Sequence, residues 1–287
     1  MLLKEENIMY YILFNPLSNG GTCITRAEEI KTNFINENKE VTSISLLEIE
    51  HIQDFLNSLN EEDIIVLVGG DGTLYHIANE IAGYEIHNKV LLAKAGTGND
   101  FYRDVKDEEE DGFVRIDQYI TNTPSVEIND KTLHFNNSCG MGVDGDICEH
   151  TNKSTKKGAI NYFYNCLKAV FNFKKFTLNL KVDEEEHVLE KTWFTVVMQG
   201  KYFGGGMKVA PDQDRKSEDL TVVVVHNVCA LLLCCILPTI YSGKHVKFKK
   251  FVKVFKGKKI ELKASHPQWV EFDGDITPNI TELKITK

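Results

Sequence analysis

The stretch Ile64–Ile81, with the sequence IIVLVGGDGTLYHIANEI, is the most informative segment of this chain. Ile64–Val68 is apolar at every position, which is typical of a central strand in a parallel sheet covered on both faces. A glycine-rich turn, Gly69–Thr73, follows this run. After the turn, apolar residues recur at helical spacing. The segment therefore predicts a buried strand, a glycine turn and a helix, in that order.

The rest of the first half repeats this alternation. Strands are predicted at Met9–Phe14, Val41–Leu46 and Val90–Ala93, and helices at Thr22–Asn38 and Ile52–Leu59. Strands that alternate with helices in this way form a parallel sheet covered by helices. We therefore predict an α/β domain.

The second half has a different pattern, because strand-like runs follow one another at short spacing. They are predicted at Ser125–Ile128, Thr132–Asn136, Thr177–Val182, Thr192–Met198, Leu220–Val225, Val246–Phe255, Lys258–Lys263 and Trp269–Phe272. Many short strands of this kind favour a β-sandwich domain. A linker near Ile120–Pro124 divides the chain into domains at residues 1–122 and 123–287.

Composition limits the class of protein. The chain has 287 residues, of which 42% are hydrophobic and 26% charged, as in ordinary globular proteins. Its formal charge of −9 argues against a general nucleic-acid-binding protein. The N-terminus has no secretory signal, and seven cysteines without CxxC spacing fit neither a disulfide framework nor a zinc site. Leu220–Leu237 fits a strand followed by a short apolar helix better than a membrane span. We therefore expect a cytoplasmic protein.

The glycine turn Gly69–Thr73 fits a phosphate site. Glycines let the backbone approach a ligand closely, and the N-terminus of the following helix attracts anions. Asp71 needs a cation between its carboxylate and phosphate, and magnesium is the obvious choice. The structural alternative is that Asp71 caps a helix. A second turn, Gly96–Phe101 (GTGNDF), follows the next strand. Two such turns at one edge of a parallel sheet flank a single ligand-binding crevice.

Four segments in this order resemble the diacylglycerol kinase catalytic-domain family, which includes soluble bacterial lipid kinases and the sphingosine and ceramide kinases. They are VGGDGTLYHIAN (Val68–Asn79), AGTGNDFYRD (Ala95–Asp104), YFGGGMKVAPDQD (Tyr202–Asp214) and EFDGD (Glu271–Asp275). The resemblance implies an N-terminal nucleotide-binding α/β domain, a C-terminal β-sandwich that accepts the lipid, and an active-site cleft between them. It also implies ATP with Mg²⁺ as the phosphoryl donor, a lipid hydroxyl as the acceptor, and homodimers as one alternative for the oligomeric state.

The same resemblance assigns roles to individual residues. ATP phosphates would be held by the first glycine turn, that is by Gly69, Gly70, Asp71, Gly72 and Thr73. Asn15, Thr97 and Asn99 would line the nucleotide site. Asp71, Asp100 and Glu127 would form the acidic network around magnesium, although the family usually has Asp where this chain has Glu127.

Two further positions depart from the family pattern. The family's closing Asp-Gly-Glu is Asp273-Gly274-Asp275 in this chain, so Asp275 would take the proton from the acceptor hydroxyl with a shorter side chain. A hairpin turn with capping carboxylates is the structural alternative. Asp212 would belong to a structural metal site, but Ser217 stands where the family has another Asp.

Lys244–Lys263 is rich in lysines that alternate with Phe and Val. The alternation predicts strands with one buried apolar face and one basic face. Such a face suits transient docking on an anionic membrane, and it equally suits a solvated strand protected from edge pairing.

These features predict an ATP-dependent lipid kinase, with diacylglycerol as the first acceptor to test. One alternative is an NAD-kinase-like phosphotransferase that shares the GGDGT turn and acts on a soluble nucleotide. The other is a nucleotide-binding regulator without catalysis, which Asp275 and Ser217 would favour. The sequence does not identify the lipid.

Overall fold

The computed structural model describes residues 8–96, 98–143, 145 and 170–287 of the chain. The polypeptide forms two units, Met1–Asn122 and Thr123–Lys287. The first unit is α/β and the second is rich in antiparallel strands. This confirms the predicted fold class.

A five-stranded sheet forms the centre of the first unit, in the order β2-β1-β3-β4-β5. In chain order the elements are β1 (Met9–Phe14), α1 (Thr22–Asn36), β2 (Glu40–Ser45), α2 (Ile52–Asn57), β3 (Ile64–Gly69), α3 (Asp71–Glu80), β4 (Lys89–Lys94), α4 (Asp100–Val105), β5 (Phe113–Arg115) and α5 (Asp117–Ile120). β1 to β4 are parallel, as predicted. The edge strand β5 is antiparallel to β4, and its three residues are too few for a periodic signal.

The continuous apolar run of β3 follows from its position between two layers of helices. Ile65 and Leu67 pack on one face with α3 residues such as Leu74. Val66 and Val68 pack on the other face with α1 residues such as Phe34. Because successive side chains of a strand point to opposite faces, both faces of β3 are buried. The register also aligns the carboxyl ends of β1, β3 and β4 at one edge of the sheet.

Nine strands and one short α-helix of the second unit are described over their full length, besides the 3₁₀ helices Leu237–Ser242 and Lys244–Lys247. They are β6 (Ser125–Ile128), β7 (Lys131–His134), β8 (Ser138–Gly142), β9 (Phe176–Val182), β10 (Glu185–Met198), β11 (Leu220–His226), α6 (Ala230–Ile236), β12 (Val252–Gly257), β13 (Lys259–Phe272) and β14 (Asp275–Thr286). The strand order is β12-β11-β10-β8-β13-β14-β6-β7, and β9 pairs with both β10 and β13.

The two long strands β10 and β13 organise this unit. β9 pairs with the first part of each strand and β8 with the last part. Pairing therefore runs in a closed circuit from β10 through β8, β13 and β9 back to β10. The register shifts in β13 between Lys263 and Gln268, where a β-bulge interrupts the alternation. This irregularity explains why the sequence pattern indicated two strands, Lys258–Lys263 and Trp269–Phe272, where there is one.

Other predicted strands need correction. Val246–Phe255 is not one strand, because a 3₁₀ helix occupies Lys244–Lys247 and β12 begins only at Val252. The N–H groups of Phe251 and Val252 donate to the Phe248 carbonyl oxygen and form a turn. The predicted alternation also fails in β12, where Val254 is exposed. β8 was missed because Gly140 and Gly142 weaken its strand signal.

Leu220–Leu237 contains β11 followed by α6, as the sequence predicted. Within the residues that the structure describes, no helix is long and apolar enough to cross a membrane.

The buried His245 makes the stability of the second unit dependent on pH. Its side chain is fully buried, and its Nε2–H donates to the Val209 carbonyl oxygen at 3.0 Å. Burial lowers the pKa of His245 below its ordinary value of 6.5, although the hydrogen bond partly opposes this shift. The unfolded chain therefore binds a proton more readily than the folded protein, and stability falls as the pH drops below about 6.5.

We expect His245→Gln to flatten the dependence of the free energy of unfolding on pH between pH 7 and 5. A difference of one bound proton between the unfolded and folded states changes the free energy of unfolding by at most about 1.4 kcal/mol per pH unit. Denaturant unfolding at several pH values measures this slope. The matched control is His76→Gln, since His76 is exposed and should leave the slope unchanged. Equal slopes for His245→Gln and the unaltered protein would contradict the assignment.

Candidate active site

Two glycine turns meet at the carboxyl edge of the first sheet. Gly70 precedes α3, and Gly96 follows β4 with a φ of +95°. A Cβ atom on Gly96 would lie 3.2 Å from the Cα of Gly70. A Cβ atom on Gly70 would lie 3.7 Å from the carbonyl oxygen of Ala95. The turns therefore approach each other through their backbones, which requires glycine at Gly96 in particular.

The Asp71 side chain connects the two turns. Its Oδ2 accepts a hydrogen bond from the N–H of Asp100 at 3.1 Å, and its Oδ1 accepts one from the N–H of Phe101 at 2.9 Å. These N–H groups belong to the first turn of α4, which has no acceptors for them within the helix. Asp71 therefore caps α4, the helix after the second turn. The structural alternative for Asp71 is thus present, but on a helix that local sequence did not indicate.

The other predicted nucleotide-site residues mainly shape the same loops. Asn15 Oδ1 accepts a hydrogen bond from the N–H of Leu17 at 3.0 Å. Thr73 Oγ1 lies 3.2 Å from Ser18 Oγ, so the β1–α1 loop is tied to the first glycine turn. Asn99 adopts a left-handed conformation, and its Nδ2 donates to the Gly96 carbonyl oxygen at 2.6 Å. The predicted site residue Thr97 lies outside the described residues.

The first glycine turn is open on one side. A Cβ atom on Gly72 would have no heavy atom within 4 Å, in contrast to the crowded Gly69. Gly72 lies in the first turn of the ten-residue helix α3. N–H groups in a first helical turn have no partner within the helix, and the helix dipole places partial positive charge there. This open end therefore has the features of a phosphate-binding site.

Two basic residues that the sequence motifs did not indicate lie at the same edge. A shallow depression of about 340 Å³ is lined by Thr22, Thr25, Arg26, Glu29, Lys94 and Ala95. Lys94 ends β4, and Ala95 directly precedes Gly96. Arg26 is paired with Glu29 at 3.1 Å. Glu29 offsets the charge of Arg26, so Lys94 supplies the net positive charge beside the second glycine turn.

The three carboxylates predicted to bind magnesium differ in their burial and in the groups that surround them. Asp100 is buried and forms a 2.7 Å ion pair with Arg103, so a cation would share this carboxylate with a guanidinium group. Asp71 lies beside the open turn, and each oxygen of a carboxylate can accept more than one contact, which fits magnesium or water bound to it. Glu127 is exposed on β6 of the second unit. No cluster of three or more His, Cys, Asp or Glu residues suited to a metal occurs in the described part of the chain.

The predicted structural metal site at Asp212 has no such cluster among the described residues either. Asp212 is exposed, and its carbonyl oxygen accepts a hydrogen bond from Lys256 Nζ at 3.2 Å. Asp214 accepts the N–H of Lys216, and Ser217 Oγ accepts the N–H of Asp219. These side chains stabilise local turns.

The turn between β13 and β14 gives its two carboxylates different environments. Asp273 accepts hydrogen bonds from the N–H groups of Asn136, Asn137 and Ser138 at 2.6, 2.8 and 3.0 Å. Asp275 is exposed at the start of β14, and its carboxylate has no hydrogen-bond or ion-pair partner among the described residues. Asp273 therefore has a structural role, and Asp275 is available to a ligand.

Arg215 supports the same loop from another direction. Its buried guanidinium donates to the Asn136 carbonyl oxygen and, at 2.7 Å, to Asn137 Oδ1. The Asn137 carbonyl oxygen accepts the N–H of Gln199 at 2.9 Å. The loop at residues 136–138, which contacts Asp273, is thus held by an arginine that no sequence motif indicated.

Comparison with known proteins gives matches along most of the chain. Residues 9–125 match the family model of the diacylglycerol kinase catalytic domain, and residues 137–284 match that of the YegS C-terminal NAD kinase beta sandwich-like domain. A Bacillus subtilis protein named "Putative lipid kinase YtlR" is 26% identical over 265 residues, covering 85% of this chain and 82% of that protein. A Staphylococcus aureus protein named "Putative lipid kinase" is 22% identical and covers 77% and 73%.

Solved structures from Bacillus anthracis have the same fold. One, titled as that of a "putative diacylglycerol kinase", has a TM-score of 0.63 at 21% identity and covers 99% of this chain and 96% of its own. A second, titled as that of a diacylglycerol kinase, has a TM-score of 0.61 at 17% identity with the same coverage.

The contact between Asp71 and the second glycine turn can be tested at Gly98. A Cβ atom on Gly98 would lie 2.9 Å from Asp71 Oδ2 and would displace the carboxylate from its N–H partners. We expect Gly98→Ala to reduce the free energy of unfolding by about 1–3 kcal/mol, as overpacked sites do. Gly72→Ala is the matched control, because its Cβ would enter open space. Equal stabilities of the two variants in denaturant unfolding would refute this description of the site.

Proposed function

Because the chain belongs to the family that joins a diacylglycerol kinase catalytic domain to a YegS C-terminal NAD kinase beta sandwich-like domain, we propose that it is an ATP-dependent lipid kinase. It transfers the terminal phosphoryl group of ATP to a lipid hydroxyl group. Diacylglycerol is the first acceptor to test, and its product would be phosphatidic acid.

This proposal rests on two glycine turns that contact each other through their backbones beside the open N-terminus of α3. Gly70 and Gly96 approach each other through their backbones, and the Asp71 carboxylate bridges the two turns. Gly72 leaves space beside the first turn of α3. Gly69–Thr73 would hold phosphate oxygens through backbone N–H groups other than that of Thr73, which donates to the Gly70 carbonyl oxygen at 3.0 Å. Preorganised donors of this kind stabilise charge on a transferring phosphoryl group. Lys94 would attract the polyphosphate to this edge.

Asp71 would join the phosphate site to magnesium, together with Asp100 and Glu127. Magnesium, when bound, supplies positive charge that neutralises the phosphate oxygens. Of these residues, Asp71 fits best, because backbone N–H groups hold its carboxylate beside the open glycine turn. Asn15, Thr97 and Asn99 would line the nucleotide site, where Asn15 and Asn99 also hold the loops in shape.

Asp275 would receive the proton of the acceptor hydroxyl. The hydroxyl oxygen forms a bond to the transferred phosphorus while the bond from that phosphorus to the ADP oxygen breaks, and the proton passes to the Asp275 carboxylate. Asp275 is exposed, and the turn that carries it is held by the hydrogen bonds of Asp273. Asp273 would therefore act as a positioning residue for Asp275.

The partner and location follow from this chemistry. A lipid acceptor requires contact with a membrane surface, and a chain with a formal charge of −9 is unsuited to general nucleic-acid binding. We expect the enzyme in the cytoplasm, with reversible contact with the membrane.

One assay separates the three candidate functions. The purified protein is incubated with radiolabelled ATP and Mg²⁺, either with mixed lipids that include diacylglycerol or with NAD. Label in the organic phase is expected. Label in NADP would indicate a nucleotide kinase, which the name of the C-terminal domain family makes the relevant competitor. Binding of ATP without transfer to either acceptor would indicate a regulator and overturn the proposal.

The roles of the two carboxylates in the β13–β14 turn are separable by mutation. We expect Asp275→Asn to reduce turnover by roughly 10²–10⁴-fold, the usual contribution of a general base, with little change in ATP affinity or stability. Asp275→Glu should retain activity, since it restores the residue of the family motif.

Asp273→Asn is the matched control for this substitution. Asn tolerates the left-handed backbone at this position, where φ is +46°. It provides one acceptor oxygen for three N–H groups, so the free energy of unfolding should fall by about 1–3 kcal/mol. The assignment fails if Asp275→Asn retains most of its turnover in the lipid assay.

A further inference from the structure

The segment from Leu220 to Ile260 has a charge unlike that of the rest of the chain. It contains eight lysines and no Asp or Glu, although the chain as a whole has a formal charge of −9. Lys244, Lys247, Lys249, Lys250 and Lys253 make no ion pair with any acid in the described residues. The segment therefore concentrates unneutralised positive charge on an otherwise acidic protein.

The same segment exposes large apolar side chains. Leu231 is 72% exposed and Tyr241 is 61% exposed, and Phe248, Val254 and Leu232 are also exposed. The inward residues Leu233, Ile236, Ile240 and Val252 pack in one core cluster of the second unit. α6 is thus apolar on its outer side as well as its inner side. Amphipathic surface helices normally have a polar outer face.

The lysines and the apolar residues are also close in space. Lys249, Lys253 and Lys256 line one groove of about 460 Å³ together with Val246, Val252 and Val254, and Asp212 is the one acidic residue in its lining. Pro211 borders this groove, and a Cβ atom on Gly243 would lie 2.9 Å from Pro211 Cβ. The turn that carries Tyr241 is therefore next to the groove.

We propose that this basic apolar surface docks on an anionic lipid bilayer. The surface consists of Leu231, Leu232, Tyr241, Phe248 and Val254 with Lys244, Lys247, Lys249, Lys250 and Lys253. Exposed leucine and aromatic side chains fit the boundary between headgroups and acyl chains, and lysines beside them fit anionic headgroups. The choice of a bilayer as partner rests on the proposed function, because a lipid acceptor resides in one.

Neither the exposed apolar residues nor the lysines are sufficient alone for membrane binding. A few exposed apolar residues bury little area, and isolated lysines near an anionic surface are screened at physiological salt. Their combination on one segment gives binding that is reversible, that requires anionic lipid and that weakens in high salt. The predicted strand face of Lys244–Lys263 is replaced by a surface that begins earlier, at Leu231, and extends through α6 and the 3₁₀ helices to the turn before β12 and into β12.

Vesicle sedimentation without nucleotide tests the proposal. The intact protein is mixed with vesicles of phosphatidylcholine alone, or of phosphatidylcholine with about one third phosphatidylglycerol. We expect binding to the anionic vesicles only, and its loss in 1 M salt, where the Debye length falls to about 3 Å. Equal binding to both vesicles, or binding to neither, overturns the proposal.

Two double variants separate the apolar and basic contributions. Leu231→Asn with Tyr241→Asn, and Lys247→Glu with Lys250→Glu, should each weaken vesicle binding at least about tenfold, since each lysine near an anionic surface contributes severalfold. Leu47→Asn with Val188→Asn, and Lys89→Glu with Lys131→Glu, are matched controls at exposed positions elsewhere. The controls should bind within about twofold of the unaltered protein, and equal losses in controls and surface variants overturn the proposal.

Light scattering and a detergent assay separate membrane docking from subunit contact and from catalysis. If the unaltered protein is a dimer that Leu231→Asn with Tyr241→Asn converts to a monomer without loss of vesicle binding, the surface is a subunit interface and the proposal fails. Activity on lipid dispersed in detergent should be unchanged in all four double variants. Vesicle binding without phosphoryl transfer would contradict the kinase function alone, and transfer in detergent without vesicle binding would contradict only the docking surface.

Discussion

The hydrogen bonds from the N–H groups of Asp100 and Phe101 to the Asp71 carboxylate are the constraint on which the candidate nucleotide site depends. They connect two loops that are distant in the chain, since Asp71 is 29 residues from Asp100 and 30 residues from Phe101. Once Asp71 is fixed, Gly98 has no room for a side chain, and Gly70 and Gly96 lie against each other. The open end of α3 then lies where the two turns meet. A residue that resembles a metal ligand in the sequence is therefore also the group that assembles the site.

A comparable division of roles occurs in the second unit. Asp273 and Asp275 are two residues apart, but one is saturated by backbone N–H groups and the other is exposed. A saturated carboxylate has little capacity for proton transfer, because its lone pairs already accept hydrogen bonds. Asp273 and Asp275 lie in the same hairpin turn, so the hydrogen bonds that Asp273 accepts also fix the position of Asp275. Arg215 extends this support to the loop at residues 136–138.

The sequence predicts what short-range patterns determine. The buried run of β3 is visible because both faces of the strand are covered, and the glycine turns are visible because each is a short run of neighbouring residues directly after a strand. The capping of α4 by Asp71 and the role of Arg215 are not visible, because their partners are distant in the chain. The strand predicted at Val246–Phe255 is wrong in its first half, because valine and phenylalanine supply β propensity there without a partner strand. Whether such a segment forms a strand depends on the presence of a partner strand in the tertiary structure.

The pairing of β14 with β6 has a consequence for the order in which the two units fold during synthesis. β14 lies between β13 and β6, and Lys284 pairs with Glu127 although most of the second unit separates them in the chain. β6, near the start of this unit, therefore lacks one of its neighbours until β14 has left the ribosome. The first unit has no such requirement, since its strands pair within the first 115 residues. During synthesis from the N-terminus, the first unit can therefore fold before β14 has been made, whereas the second unit cannot complete its sheet until then.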